Sequence, residues 1–238
     1  GVNIIIYKTF TGENSMAIEI NIEDLVNNPT TRVPVALVLD TSGSMAGGPI
    51  EELNDGYRLF LQELEKDEVA RFSAEICVIT FGGSVKVYQD FTTVDYTNKN
   101  IYFTASGETP MGQAVLKAIE LLERRKTLYK ETGIDYHQPW MVLMTDGIPT
   151  DDIEPAVVKI QNMLENKKLV VFPIAIGQSA DIKILSRFTT HNRPPLRLKG
   201  LNFRQFFQWL SKSVSSVSRS SPVEKIKLPP DISGWADI

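Results

Sequence analysis

Cysteine and histidine are scarce in this chain: Cys77 is the only thiol among 238 residues, and His137 and His191 are the only imidazoles. A single cysteine excludes an internal disulfide, so Cys77, inside Glu75-Ile76-Cys77-Val78-Ile79, is expected to pack as a small hydrophobe in a protein of a reducing compartment. No apolar run approaches the roughly 18 residues of a membrane span, and no basic segment leads into a secretory core. The cytoplasm is the expected location. Positive charge is not in excess either. A net charge of −4 and a pI near 5.4 give no global attraction for nucleic acid or anionic lipid. Arg124-Arg125-Lys126 is expected to be a solvated helix end. Neither Ser42 nor Ser44 sits in Gly-x-Ser-x-Gly, and Gly47-Gly48 and Gly82-Gly83 lack the Lys-Ser/Thr ending of a phosphate loop. The histidines precede Gln138-Pro139 and Asn192-Arg193-Pro194, where surface or capping roles are expected.

With 42% hydrophobic residues, the chain can bury a full core in one domain. Apolar runs of strand length alternate with helical periodicity, which predicts an α/β fold: a doubly wound, Rossmann-like, mainly parallel six-stranded sheet with helices on both faces. The predicted strands are Pro34 to Asp40, Ala74 to Phe81, Val85 to Phe91, Pro139 to Asp146, Leu169 to Ile176 and Leu196 to Lys199. The turn at Gly82-Gly83 makes one edge strand antiparallel. Helices are predicted over Ile50 to Lys66, Met111 to Lys130, Ile153 to Asn166, Ala180 to Arg187 and Phe203 to Ser218. The first places Leu53, Tyr57, Phe60, Leu61 and Leu64 on one face, and Phe203, Phe206, Phe207 and Trp209 form an aromatic face on the last. The organisation is an extension over residues 1–31, a domain over 32–218 and an extended tail over 219–238. Residues 1–15 read either as a leader or vector-derived stretch ahead of Met16, or as an added strand through Ile4-Ile5-Ile6-Tyr7. The tail, with Pro229-Pro230 and Gly234-Trp235, either hugs the domain or docks on a partner.

Polar residues gather where apolar elements stop. Asp40-Thr41-Ser42-Gly43-Ser44 follows Val33 to Leu39, Gly107-Glu108-Thr109 precedes a helix, and Thr145-Asp146-Gly147 follows Trp140 to Met144. In an open parallel sheet the carboxyl ends of the strands border the ligand crevice. Asp40 and Asp146 belong there, with Ser42, Ser44 and Thr109 beside them. Gly43, Gly107 and Gly147 are expected to let the backbone bend at the three corners. Hydroxyl and carboxylate oxygens suit a hard divalent cation, Mg²⁺ first, with Mn²⁺ or Ca²⁺ acceptable. If Ser42, Ser44 and Thr109 bind directly and an aspartate acts through water, the cation keeps charge enough to seek an outside carboxylate. A Glu or Asp of a partner protein would supply it. Each residue taken singly reads first as a loop or helix cap, and Glu108, Asp151 and Asp152 at the border either tune the site, repel wrong partners or are solvated loop charges.

These three segments resemble the metal-ion-dependent adhesion site of von Willebrand factor type A domains, which include the integrin inserted domains. The resemblance covers Arg32 to Ser218 and implies Asp40, Ser42, Ser44, Thr109 and Asp146 as the metal site, on a non-enzymatic protein-binding module. Asp40 to Met45 followed by Gly48-Pro49-Ile50, Thr145 to Asp151, and Phe206 to Ser211 with Ser215 to Ser220 are similar to the bacterial TerY/YegL-like proteins of tellurium resistance and chemical stress. That similarity implies scaffolding or signalling beside a kinase-like protein and a PP2C-type phosphatase. The rival is a magnesium phosphohydrolase of the haloacid-dehalogenase type with Asp40 as nucleophile. Such chemistry needs a second carboxylate two residues on, where this chain has Ser42.

Overall fold

The computed structural model describes residues 22–222 and 231–237. At its centre is Val33–Asp40 (β1), eight residues that are all buried. A run this apolar up to its final aspartate suits a strand covered on both faces. β1 lies parallel between Ala74–Gly82 (β2) and Trp140–Thr145 (β4), with Leu37 opposite Val78 on one side and Val142 on the other. Ser84–Thr93 (β3) turns back antiparallel on β2. Val170–Ala175 (β5), Leu196–Leu198 (β6) and Ala236–Asp237 (β7) complete the sheet in the order β3-β2-β1-β4-β5-β6-β7.

The doubly wound, mainly parallel fold is present, but the sheet has seven strands rather than six. Both edges are antiparallel, since β7 runs against β6. A two-residue strand carries no periodic signal. What holds it is Trp235, 2% exposed, whose ring centroid lies 4.9 Å from that of Phe206 and 5.3 Å from that of Trp209. Residues 231–237 therefore hug the domain. The strand considered over Ile4 to Tyr7 lies outside the described residues.

The helices are Ile22–Asn27 (α1), Gly48–Lys66 (α2), Ala70–Ser73 (α3), Met111–Thr132 (α4), Glu154–Glu165 (α5), Ile182–Ser186 (α6) and Phe203–Ser218 (α7). Strand alternation sorts the core into two layers. Leu37, Leu39, Val142 and Met144 meet the buried faces of α2 and α7, including Tyr57, Phe60, Phe206 and Phe207. Ala36, Val38, Met141 and Leu143 meet α4 and α5, and Cys77 lies in this second layer, buried as expected. Gly56 lets α2 and α7 close up, because a Cβ there would stand 2.5 Å from the Phe207 ring.

Two expectations fail. Arg124-Arg125-Lys126 is not a solvated helix end: α4 continues to Thr132, and Arg125 and Lys126 are buried. The helical period carries Arg125 and Tyr129 onto the inward face, one turn apart. There Glu75, wholly buried on β2, accepts two hydrogen bonds from Arg125 at 2.7 Å, one from Arg32 Nε at 2.9 Å and one from the Tyr129 hydroxyl. Arg32 also pairs with Asp24 of α1 at 3.5 Å. The carboxylate's bonds hold the Arg125 guanidinium charged against the opposing effect of burial. Burial, followed by the neighbouring Glu75, keeps the Tyr129 hydroxyl protonated. His137 is the second correction, since it is 4% exposed rather than at the surface. Its backbone N–H bonds to the Arg32 carbonyl at 2.8 Å, tying the segment before β4 to the start of β1. His191 is exposed, as expected.

Candidate metal centre

Asp40 ends β1 with no exposure to solvent. Its Oδ1 accepts the Ser42 N–H at 2.8 Å, which turns the chain sharply after the strand. Its Oδ2 accepts the Thr145 hydroxyl at 2.6 Å and the Asp146 N–H at 3.4 Å. Oδ1 is thus oriented by the turn after β1 and Oδ2 by the end of β4. Ser42 is buried, and its Oγ lies 3.1 Å from the Oγ of exposed Ser44. The Ser44 hydroxyl in turn donates to Asp146 Oδ1 at 2.7 Å. A 3₁₀ turn over Gly43–Met45, with Met45 buried beneath it, sets this spacing.

Thr109 arrives from the third loop. Its N–H donates to Thr150 Oγ1 at 3.0 Å and its carbonyl accepts the Thr150 N–H at 3.0 Å. Its hydroxyl oxygen faces the Asp146-Gly147 turn, 3.9 Å from where a Cβ on Gly147 would stand. The loops also clasp one another. The Gly43 N–H bonds to the Gly107 carbonyl at 2.9 Å and the Gly83 N–H to the Glu108 carbonyl at 2.8 Å. Gly107 has φ of 72°, and a Cβ on it would come within 2.4 Å of Gly83 Cα, so only glycine fits. Gly43 and Gly147, also expected as turning residues, do not adopt the left-handed conformation.

All five residues singled out in the sequence therefore meet at one crevice. Asp40, Ser42, Ser44 and Asp146 are joined by hydrogen bonds, and Thr109 stands against the Gly147 corner. Sequence reasoning missed the residues that orient them. Thr145 follows Met144, the partner of Leu39 in the β1–β4 register, so its place beside Asp40 could have been inferred from parallel pairing of the two strand ends. Thr150 pins Thr109. Asp151 accepts the N–H groups of Gly112 and Gln113 at 3.0 and 2.8 Å, fixing the first turn of α4. Asp152 accepts the Glu154 N–H at 2.9 Å, so neither aspartate is merely a solvated loop charge.

Burial pushes the Asp146 carboxyl up and the nearby Asp40 charge adds to this, against the bond from Ser44. A divalent cation would relieve both effects. Adjacent oxygens around a cation with metal–oxygen distances of about 2.0–2.1 Å lie roughly 2.9 Å apart in an octahedron. The 3.1 Å Ser42–Ser44 and 2.7 Å Ser44–Asp146 separations bracket that spacing. Among the described residues no group of three or more His, Cys, Asp or Glu could hold a metal, so a cation in this crevice would need the hydroxyls as ligands. The donor set fits a small, hard cation.

This combination of a doubly wound sheet and a hydroxyl-rich crevice at the ends of β1 and β4 defines a class. The von Willebrand factor type A domain model matches residues 35–208, and the chain belongs to that family. Human (Homo sapiens) inter-alpha-trypsin inhibitor heavy chain H6 is 23% identical over 175 residues, covering 69% of this chain and 13% of that protein. The chain thus spans a small part of such relatives. The fold is shared with a von Willebrand factor type A structure from Catenulispora acidiphila, at TM-score 0.62 and 15% identity over 78% of this chain and 43% of that one. It is shared too with proximal thread matrix protein 1 of the mussel byssus with a zinc-occupied MIDAS motif, at TM-score 0.55 and 18% identity, covering 78% and 48% of the two chains. Manganese-loaded TRAP protein of Plasmodium vivax gives TM-score 0.53 and 18% identity, covering 76% and 73%. Among the described residues no helix is long and apolar enough to cross a membrane.

Proposed function

We propose that this chain is a non-enzymatic interaction module whose Asp40, Ser42, Ser44, Thr109 and Asp146 hold a divalent cation, Mg²⁺ in the cell, that binds a Glu or Asp side chain of a partner protein. The observation that carries this reading is the oxygen row Ser42–Ser44–Asp146, spaced for one small cation and open to solvent at Ser44. Asp40, with both oxygens already engaged, acts behind that row and through water. The cation supplies Lewis acidity toward an incoming carboxylate, and the chain's residues supply the orientation. Zinc and manganese in structures of the same fold support a site tolerant of several divalent ions.

The finer context we propose is a cytoplasmic bacterial stress complex of the tellurium-resistance type, beside a kinase-like or PP2C-type phosphatase partner. It is supported by the similarity of the Asp40 to Ile50 and Thr145 to Asp151 segments to that group. Affinity capture from native lysate in Mg²⁺, repeated with chelator and with Asp40→Ala, tests the reading. A partner lost in both controls, with the variant folded by circular dichroism, supports it; the same partners in all three captures would overturn it.

A further inference from the structure

Six large hydrophobic side chains stand exposed among the described residues, and two of the three aliphatic ones, Ile148 and Leu201, adjoin the loops that follow β4 and β1. Ile148, 60% exposed, follows Asp146 by two residues. Leu201, 39% exposed, stands over the start of α2, where its Cδ1 would be 3.3 Å from a Cβ on Gly48, four residues past Ser44.

Neither side chain sits on a loose loop. The Ile148 turn is pinned by the paired Thr109–Thr150 bonds and by Asp151 on the start of α4. The Leu201 turn is closed by Phe203 N–H to the Leu201 carbonyl at 2.7 Å, and Asn202 Nδ2 ties it to the Gly234 carbonyl at 3.0 Å. Both apolar groups are therefore held in place beside the crevice loops, available to an apolar side chain of a partner.

Between the two, Ala46, Gly47 and Gly48 are exposed and nearly free of side chains, and a Cβ on Gly47 would meet nothing within 4 Å. That bare shelf lets another backbone approach Ser44 closely. The crevice rim is acidic: Glu108 and Asp152 are both exposed. Once one incoming carboxylate has joined Asp40 and Asp146 around a divalent cation, no positive charge is left there to offset the rim toward a second carboxylate.

Resting on the metal-bridge reading above, we infer that the partner presents a single acidic residue flanked by apolar side chains, without neighbouring acids. The carboxylate meets the cation, one flanking side chain packs on Ile148 and the other on Leu201 across the shelf. Glu108 and Asp152 turn away polyacidic segments.

The test uses blocked pentapeptides with centres Leu-Glu-Leu, Gly-Glu-Gly, Glu-Glu-Glu and Leu-Gln-Leu, titrated by NMR in Mg²⁺ against wild type and Ile148→Ser/Leu201→Ser. Mn²⁺ affinity of both proteins is measured separately by water proton relaxation. Leu-Glu-Leu is expected to bind about fivefold tighter than Gly-Glu-Gly, the order expected for partial burial of two leucines. Glu-Glu-Glu and Leu-Gln-Leu should bind more weakly than Leu-Glu-Leu. The leucine advantage should vanish in the double variant while Mn²⁺ affinity is unchanged. Equal binding of the first two peptides, an advantage surviving the double substitution, or no peptide binding to a protein that takes Mn²⁺ would overturn the inference and leave the metal site standing. Absence of Mn²⁺ binding by wild type would instead overturn the metal reading beneath it.

Discussion

Glu75→Gln should be among the most damaging single substitutions in this protein outside the hydrophobic layers. The carboxylate is wholly buried and compensates two guanidinium groups, those of Arg32 at 0% and Arg125 at 4% side-chain exposure. Removing it leaves Arg125 without a counter-ion and Arg32 with only the longer 3.5 Å contact to Asp24. Breaking one member of a buried ion network costs about 3–5 kcal/mol, because the remaining charges stay desolvated. For a domain of this size about 1 kcal/mol moves Tm by roughly 2–4 °C, so the expected fall is about 6–20 °C. Thermal unfolding followed by circular dichroism reads it, with Asp55→Asn as the comparison. That change breaks the Arg58–Asp55 pair, about half exposed on both sides, and should alter stability by no more than about 1 kcal/mol. Adding Arg125→Met to Glu75→Gln should recover part of the loss, since one stranded charge is gone. A Glu75→Gln protein as stable as Asp55→Asn would refute the argument.

Three further outcomes are expected. Tyr57→Phe should leave stability unchanged or raise it by up to about 1 kcal/mol in urea unfolding, because the buried Tyr57 hydroxyl has no hydrogen-bond partner; a clear loss would show that the hydroxyl is satisfied. Burial holds His137 below the usual imidazole range, so its folded pKa lies under the unfolded one. Its neutral form carries stability that is fully present above the unfolded value of about 6.5 and declines as pH falls below it, and His137→Gln should flatten the stability profile between about pH 7 and 5. Trp235→Ala should free the β7 strap: the Lys199 amide, bonded to the Trp235 carbonyl at 2.7 Å, should exchange at least about tenfold faster with deuterium while amides of β1 keep their protection.

The parts of this protein legible in its sequence are those with a repeating or crowded signature. Val33 to Leu39 announces a strand covered on both faces, the α2 and α7 stripes announce their buried sides, and the spacing of Asp40, Ser42 and Ser44 after a strand announces the crevice. Features set by long-range partners stayed hidden. Arg125 and Glu75 are 50 residues apart, and a basic triplet on a helix looks solvated until the buried carboxylate opposite it is known. β7 is too short to show a period and depends on where Trp235 packs. Thr145 was overlooked beside Asp146 because its role follows from strand register, which pairing alone reveals. In the crevice, the ligand-type side chains were apparent from sequence and the groups that orient them were not.

In the proposed module one divalent cation sits among Ser42, Ser44, Thr109, Asp146 and, behind them, Asp40. The most direct test is anomalous diffraction from crystals of the chain grown in Mn²⁺. A single strong peak is expected within about 2.5 Å of the Ser42 and Ser44 hydroxyl oxygens, absent in crystals of Asp40→Ala. A crystal with no peak in that crevice, or with manganese held only elsewhere on the chain, would contradict it.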